Sequence, residues 1–313
     1  MSAPKRKEEF DIYQGHGDHI DCISDGEGAS AFAVNWLPGI VRTGDLNLET
    51  QKPVSNALGE GFPSKTKVFL IGNKNAQVRA LAMVAANETP RSNTLISAYP
   101  ECDGTEVAVR LTAIHEWANG IEATLEGTVL EDARDVAFFD TRYPLHKDSY
   151  KIGKTYVFRL AAFAYGARFL EEKEKRLRME GKEAEDWYER VGKTIDWHVD
   201  FDEQGHIKPI EIRMDGMVAF FCGPVAYPDD CEFQSPVFGD GEVFQEFGID
   251  FFKLNIAIAR DDVDDDVDVV VPLVVKKKIL GHMPKPDEAI RGRCWLQGYC
   301  VHALAEVHTS HFS

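Results

Sequence analysis

No apolar run in this chain approaches the roughly 20 residues that span a bilayer. The opening MSAPKRKEEF also lacks the apolar core of a signal peptide. The expectation is a cytoplasmic protein without a membrane segment. There is no CxxC pair. The six cysteines, Cys22, Cys102, Cys222, Cys231, Cys294 and Cys300, are scattered along the chain, as free and mostly buried thiols are in a reducing compartment. Positive charge is scarce, with 35 Lys and Arg against 52 Asp and Glu and a net charge of −17. That balance weighs against a general nucleic-acid binder, which gains affinity by setting Lys and Arg on phosphates. It favours attraction to basic partners. A nucleophile elbow, a dinucleotide fingerprint and a paired-carboxylate signature are all missing, so no catalytic residue is assigned and no cofactor is expected.

What is present reads as an ordinary globular chain. A hydrophobic fraction of 44% with 28% charged residues excludes wholesale disorder, and the length allows two or three domains. Residues 29–37 form an apolar run closed by Pro38-Gly39. VFLIGN (68–73) reads as a buried strand. In 75–88, NAQVRALAMVAANE, the positions of Val78, Leu81, Ala82 and Ala85 predict a helix. From Glu106 the period changes to two. Strands follow through Tyr165, with Asn119-Gly120 as a hairpin turn. Residues 170–193 are densely charged and read as a helical connector interrupted near Gly181. Strands resume at TIDWHVDF (194–201), and Pro209 assigns the next one to a sheet edge. MVAFFCGPV (217–225), FFKLNIAIA (251–259), VVVPLVV (269–275) and IRGRCWLQGYCVHAL (290–304) complete the strands. The proline- and acid-rich stretch between the first two of these reads as a loop.

A faint repeat links Asp135-Val136 and the pattern ending at Tyr165 with Asp268-Val269 and the pattern ending at Tyr299. Together these features predict a mainly β, α+β overall protein with two OB-like or small β-barrel modules. A small N-terminal α/β region (1–104) would precede a first module (105–169). A charged helical insertion (170–194) would then lead to a second module (195–313).

Five clusters carry chemistry. Gly59 to Thr66 comes within one residue of a phosphate-binding loop, but it precedes a strand where the mechanism needs a helix, and Pro63 removes an amide. His16 and His19 are the metal-ligating alternative, with His115, His146, His198 and His206 as isolated further donors. Asp261, Asp262, Asp264, Asp265, Asp266 and Asp268 lack the glycine and closing glutamate of a calcium loop, and point instead to a basic partner surface. Phe138, Phe139 and Tyr143 lie around Asp140, where aromatics at this spacing fill a barrel core. Lys276, Lys277, Lys278, Arg291, Arg293 and Trp295 form the nucleic-acid alternative. Alternation places Arg291 and Arg293 on the face of Trp295, opposite Cys294 and Leu296.

The expected function is a non-enzymatic binding or regulatory protein acting through protein–protein contacts, such as an inhibitor or accessory factor in a host–parasite conflict system. The alternatives are an OB-type binder of single-stranded nucleic acid and a metal-dependent hydrolase around His16 and His19.

Overall fold

The computed structural model describes residues 19–25, 28–54, 65–86, 94–129, 134–194, 196, 200–223, 227–260 and 268–303. Strand outweighs helix, 54% to 16%, so the mainly β expectation holds. A 3-10 turn at Ile20–Cys22 opens the described chain, and two short helices, α1 (Gly28–Asn35) and α2 (Leu37–Thr43), follow. Pro38 sits in the first turn of α2, where its missing N–H has no helical partner to lose. The proline that seemed to close the apolar run therefore starts a helix.

An antiparallel sheet follows in the order β1 (Leu46–Glu49), β2 (Lys67–Gly72), β3 (Val78–Ala86), β4 (Thr94–Cys102). β3 corrects the helix expected over 75–88. Flanked by β2 and β4, it is buried at every position from Val78 to Ala85. A strand covered on both faces shows no alternation, and its alanines imitate a helical stripe.

The larger sheet has ten strands. Its centre is a closed five-stranded barrel. β5 (Thr105–Glu116), β6 (Ala123–Val129) and β7 (Arg134–Asp140) pair in sequence; β7 runs parallel to β16 (Ala289–Ala303). β16 pairs antiparallel with β8 (Thr155–Phe169), and β8 returns to β5. The ladder between the two long strands runs from Tyr156–Ala303 to Phe169–Ile290, and the two exchange neighbours along it. β12 (Asp230–Pro236) pairs with the first half of β16. β15 (Asp268–Lys276) runs parallel to β8 and antiparallel to β14 (Ile249–Arg260). Val237, just past β12, bridges Ile256 of β14. Thus β12, β14 and β15 stand to β16 and β8 as β5, β6 and β7 stand to β8 and β16. A single helical turn follows β7 (α3, Tyr143–His146) and another follows β15 (α5, Lys277–Leu280). The edges of the sheet are β11 (Ala219–Cys222) and β13 (Glu242–Glu246). Hydrogen bonds thus join the stretches 105–169 and 195–313 into one sheet. β12 and β13 also correct the loop expected between 226 and 246, where a central strand hides among acidic residues.

The helical connector expected over 170–194 is corrected in its first half: the stretch divides at Gly181, and only the part after it carries an α-helix. Before it, β9 (Arg176–Met179) pairs with β10 (Ile210–Arg213) in a separate two-stranded sheet; after it comes α4 (Lys182–Arg190). Pro209 precedes β10, which has β9 as its one partner among the described strands. Of the strand expected over 194–201, Phe201 forms a single bridge to Ile207.

One core fills the inside of the sheet, with Val109, Leu125, Phe138, Phe158, Leu160, Leu254, Leu273 and Leu296. A second lies outside it, where Phe163, Phe251, Val274 and Trp295 meet Leu70, Leu81 and Tyr99 of the N-terminal sheet. A buried ionic cluster crosses the same junction. Glu101 receives Arg142 at 2.8 and 3.1 Å and Thr141 Oγ1 at 2.5 Å, and lies 3.4 Å from Arg79. Asp140 accepts the Tyr150 hydroxyl at 2.6 Å and the Arg142 amide at 2.9 Å. Burial pushes its carboxyl up to about 7 against the pull of those donors.

Candidate functional site

The outer face of the sheet carries an open groove of 650 Å³ across β8, β16, β12 and β11. Its shape begins with a bulge. Gly166 is opposite Arg293 and Ala164 opposite Cys294, which leaves Tyr165 without a partner. Core-facing positions on β8 change across it from Leu160, Ala162 and Ala164 to Ala167 and Phe169. Both Tyr165 and Arg168 therefore turn outward, as bulges re-aim side chains elsewhere. At the same crossing a Cβ on Gly292 would collide with the Gly166 carbonyl oxygen.

Register orders the groove into rows. Arg168, Arg291, Gln234 and Ala219 are successive neighbours across four strands, and Arg293, Glu232 and Phe221 form the next row. Glu174 already occupies one end. Arg168 donates to its two oxygens at 2.6 and 2.7 Å, and Arg291 stands 3.5 Å away. The Arg168 hydrogen bonds, with the Glu171 amide, hold the Glu174 carboxyl down near 2. Arg293 is exposed and makes no ion pair with the described residues. At the far end of its row, beyond Glu232, Phe221 is 64% exposed on the edge strand.

A polar cluster anchors the other end. Tyr165 donates to Asp230 at 2.7 Å, and its hydroxyl lies 2.5 Å from His19 Nδ1. Burial and the neighbouring carboxylates raise the Tyr165 pKa. The His19 ring stacks on Trp295 at 4.3 Å, and Trp295 Nε1 donates to Asp229 at 2.7 Å.

The residues singled out by sequence thus separate. Arg291 and Arg293 share the groove, on the face of Trp295 as alternation required. Trp295 itself is fully buried, so no base can stack on it. Lys276 donates to the carbonyls of Asp21 and Ser24, Lys278 pairs with Asp25, and Lys277 lies 3.7 Å from Asp250. Lys276 and Lys278 thus fasten the N-terminal segment, and Lys277 faces β14. Asp268 is held by Arg260 at 2.8 and 3.0 Å, at the end of the β14–β15 hairpin. Asp261, Asp262, Asp264, Asp265 and Asp266 lie outside the described residues, as do His16, His198 and Gly59 to Ser64. Among the described residues no three His, Cys, Asp or Glu side chains are placed to hold a metal ion, and no helix is long and apolar enough to cross a membrane. Phe138, Phe139 and Tyr143 are buried, in the core role expected.

Sequence reading missed Tyr165, Arg168, Glu174 and Phe221 as groove residues. A signal was available for one: Glu171 and Glu174 form a reciprocal cap on a helical turn, which fixes Glu174 close to the end of β8. The arrangement can hold an anionic group at Arg293 and an apolar group on Phe221. No protein-family model matches this chain, nor does any curated protein or solved structure.

Proposed function

We propose that the protein is a non-enzymatic binding protein that receives an extended segment of a partner protein along β11 and its groove. The observation that carries this reading is the edge itself. Among the described strands β11 pairs on one side only; Phe221 stands exposed on it, and Arg293 lies in the same row two strands further in, beyond Glu232. Such an edge offers main-chain hydrogen bonds, while the pockets beside it select side chains. A carboxylate of the incoming segment would pair with Arg293, as the Glu174 carboxylate does with Arg168. The net charge of −17 and the aspartates of 261–268 would steer a partner whose wider surface is basic.

The modules in this proposal are two OB-like barrels sharing one ladder. Supporting this is the order β5-β6-β7-β16-β8, with its parallel contact between the third strand and the last. The matching relations of β12, β14 and β15 add to it. The same order favours a second reading, single-stranded nucleic-acid binding, since OB-like barrels bind oligonucleotides on a strand face.

Capture from native cells separates the two, with wild type and a Phe221→Ala, Arg293→Ser double variant run in parallel and both protein and nucleic acid analysed. The proposal expects a protein partner recovered with wild type and lost with the variant. Equal recovery overturns it. Recovery of DNA or RNA, with log affinity falling steeply against log salt, establishes the second reading.

A further inference from the structure

Three cysteines stand in one row across adjacent strands. Cys222 of β11 is directly opposite Cys231 of β12, which is directly opposite Cys294 of β16. All three point inward, on the face away from the groove. Cys222 and Cys231 lie nine residues apart on consecutive strands, Cys294 lies far along the chain, and register sets all three in line. The two pairings differ in kind. The Gly223 amide donates to Asp230 O, which sets residues 223 and 230 in a hydrogen-bonding position and makes the Cys222–Cys231 pair the close, non-hydrogen-bonded type. The Leu296 amide donates to Asp229 O, which makes Cys231–Cys294 the wider, hydrogen-bonded type. Close pairs bring Cα atoms to about 4.5 Å, within the range a disulfide spans. Accordingly the Cys231 thiol donates to Cys222 Sγ at 2.8 Å. Access is equally one-sided. Cys231 and Cys294 are buried, whereas Cys222 is half-buried and lines a separate cavity of 390 Å³ with Phe220 and Ala137.

We propose that Cys222 and Cys231 are an oxidisable dithiol whose disulfide staples the edge strand β11 to β12. The oxidant class is a peroxide. The Cys222 thiolate attacks one peroxide oxygen; the O–O bond breaks, hydroxide leaves and takes up a proton to become water, and Cys222 becomes a sulfenic acid. The Cys231 sulfur then attacks Cys222 Sγ, the S–O bond breaks, and a second water leaves with the Cys231 proton. Overall two thiols and one hydrogen peroxide give one disulfide and two waters. Burial pushes the Cys231 and Cys294 thiols well up, so the first attack falls to the more accessible Cys222; close pairing with Cys222 makes Cys231 the resolving partner and leaves Cys294 a bystander. Because Phe221 lies between the stapled residue and the groove, the bond would fix one groove wall. The inference does not depend on what the groove binds.

Peptide mapping without reductant tests it on the full chain. Reduced protein is treated with hydrogen peroxide, the remaining thiols are alkylated after unfolding, and crosslinked peptides are identified by mass. The expected result is a dominant Cys222–Cys231 link, kept in Cys294→Ser and absent from Cys222→Ser and Cys231→Ser. Recovery of Cys222 and Cys231 as alkylated thiols, oxidation of Cys222 only to sulfinic acid, or a dominant Cys231–Cys294 link would each overturn the proposal. The wild-type map needs no variant to fold. Amide exchange gives the structural arm: on oxidation the Ala219 and Phe221 amides should exchange at least tenfold more slowly. Unchanged exchange in a fully crosslinked sample would reject the staple.

Discussion

The two ends of the β8–β16 ladder are made by the same pair of strands and have opposite characters. At the end where Phe158 and Leu160 meet Cys300 and Gly298, β5 and β7 flank the ladder, the barrel is closed, and aromatic rings fill it. Phe138 packs edge-on to Phe158 at 4.8 Å, and Tyr150 to Tyr156 at 5.3 Å. Where Arg168 meets Arg291, β12 and then the edge strand β11 follow, and the outer face carries arginines and an open groove. The contrast shows that neighbours decide the role of a ladder. Closure removes free edges and leaves a frame, while an unpaired strand leaves a surface that can accept another chain.

Truncation should separate the ends most strongly. Phe158→Ala removes a fully buried ring and is expected to cost about 3–5 kcal/mol in denaturant unfolding. A loss below about 1 kcal/mol would mean that the closed end is not the frame.

The buried carboxylate at that end sets a pH test. Asp140 has its folded pKa raised from 3.8 to about 7, so between those values the folded state holds the extra proton. Its contribution is therefore lost as pH rises through about 7. Relative to wild type, Asp140→Asn should gain stability between about pH 4 and about pH 8, by up to about 4 kcal/mol from a shift of this order. A variant that tracks wild type at every pH would place Asp140 in contact with water.

At the crossing between the ends, Gly292→Ala forces a methyl group against the Gly166 backbone. Overpacking of this kind costs about 1–3 kcal/mol, and wild-type stability would show that the two strands separate there. The smallest effect is expected at the open end. Phe221→Ala with Arg293→Ser should stay within about 0.5 kcal/mol of wild type, because both side chains are exposed and contribute little to packing. A larger loss would make the groove part of the frame.

Sequence reading was successful where one face of a strand is wet, or where length and composition mark a strand buried on both faces. β5 alternates from Val107 to Leu111, and β8, β14 and β16 announce themselves by length and β-branched or aromatic content. Pro209 marked an edge, and the break at Gly181 was visible, but the charged stretch before it carries β9 where a helix was expected. It failed at β3, where two covered faces erase the period, and at β12, whose buried Asp229 and Asp230 look like loop residues until Trp295 and Tyr165 are seen to bond them. Of the groove, Arg291 and Arg293 followed from alternation alone. Arg168 did not, because the bulge at Tyr165 changes the parity of β8. The cysteine row was out of reach, since pairing register, unlike spacing, is not written along the chain.

Native-state amide hydrogen exchange on the isolated, reduced protein tests the contrast between the ends most directly. In β11 the Phe221 and Ala219 amides face β12, whereas those of Phe220 and Cys222 face the open edge, by the alternation that Gly223 and Asp230 set. The account predicts fast exchange at Phe220 and Cys222, and slow exchange at Phe158, Leu160 and Leu296 in the closed barrel. Protection of Phe220 and Cys222 equal to that of the barrel strands would contradict it, because the edge would then be covered and closed to a partner.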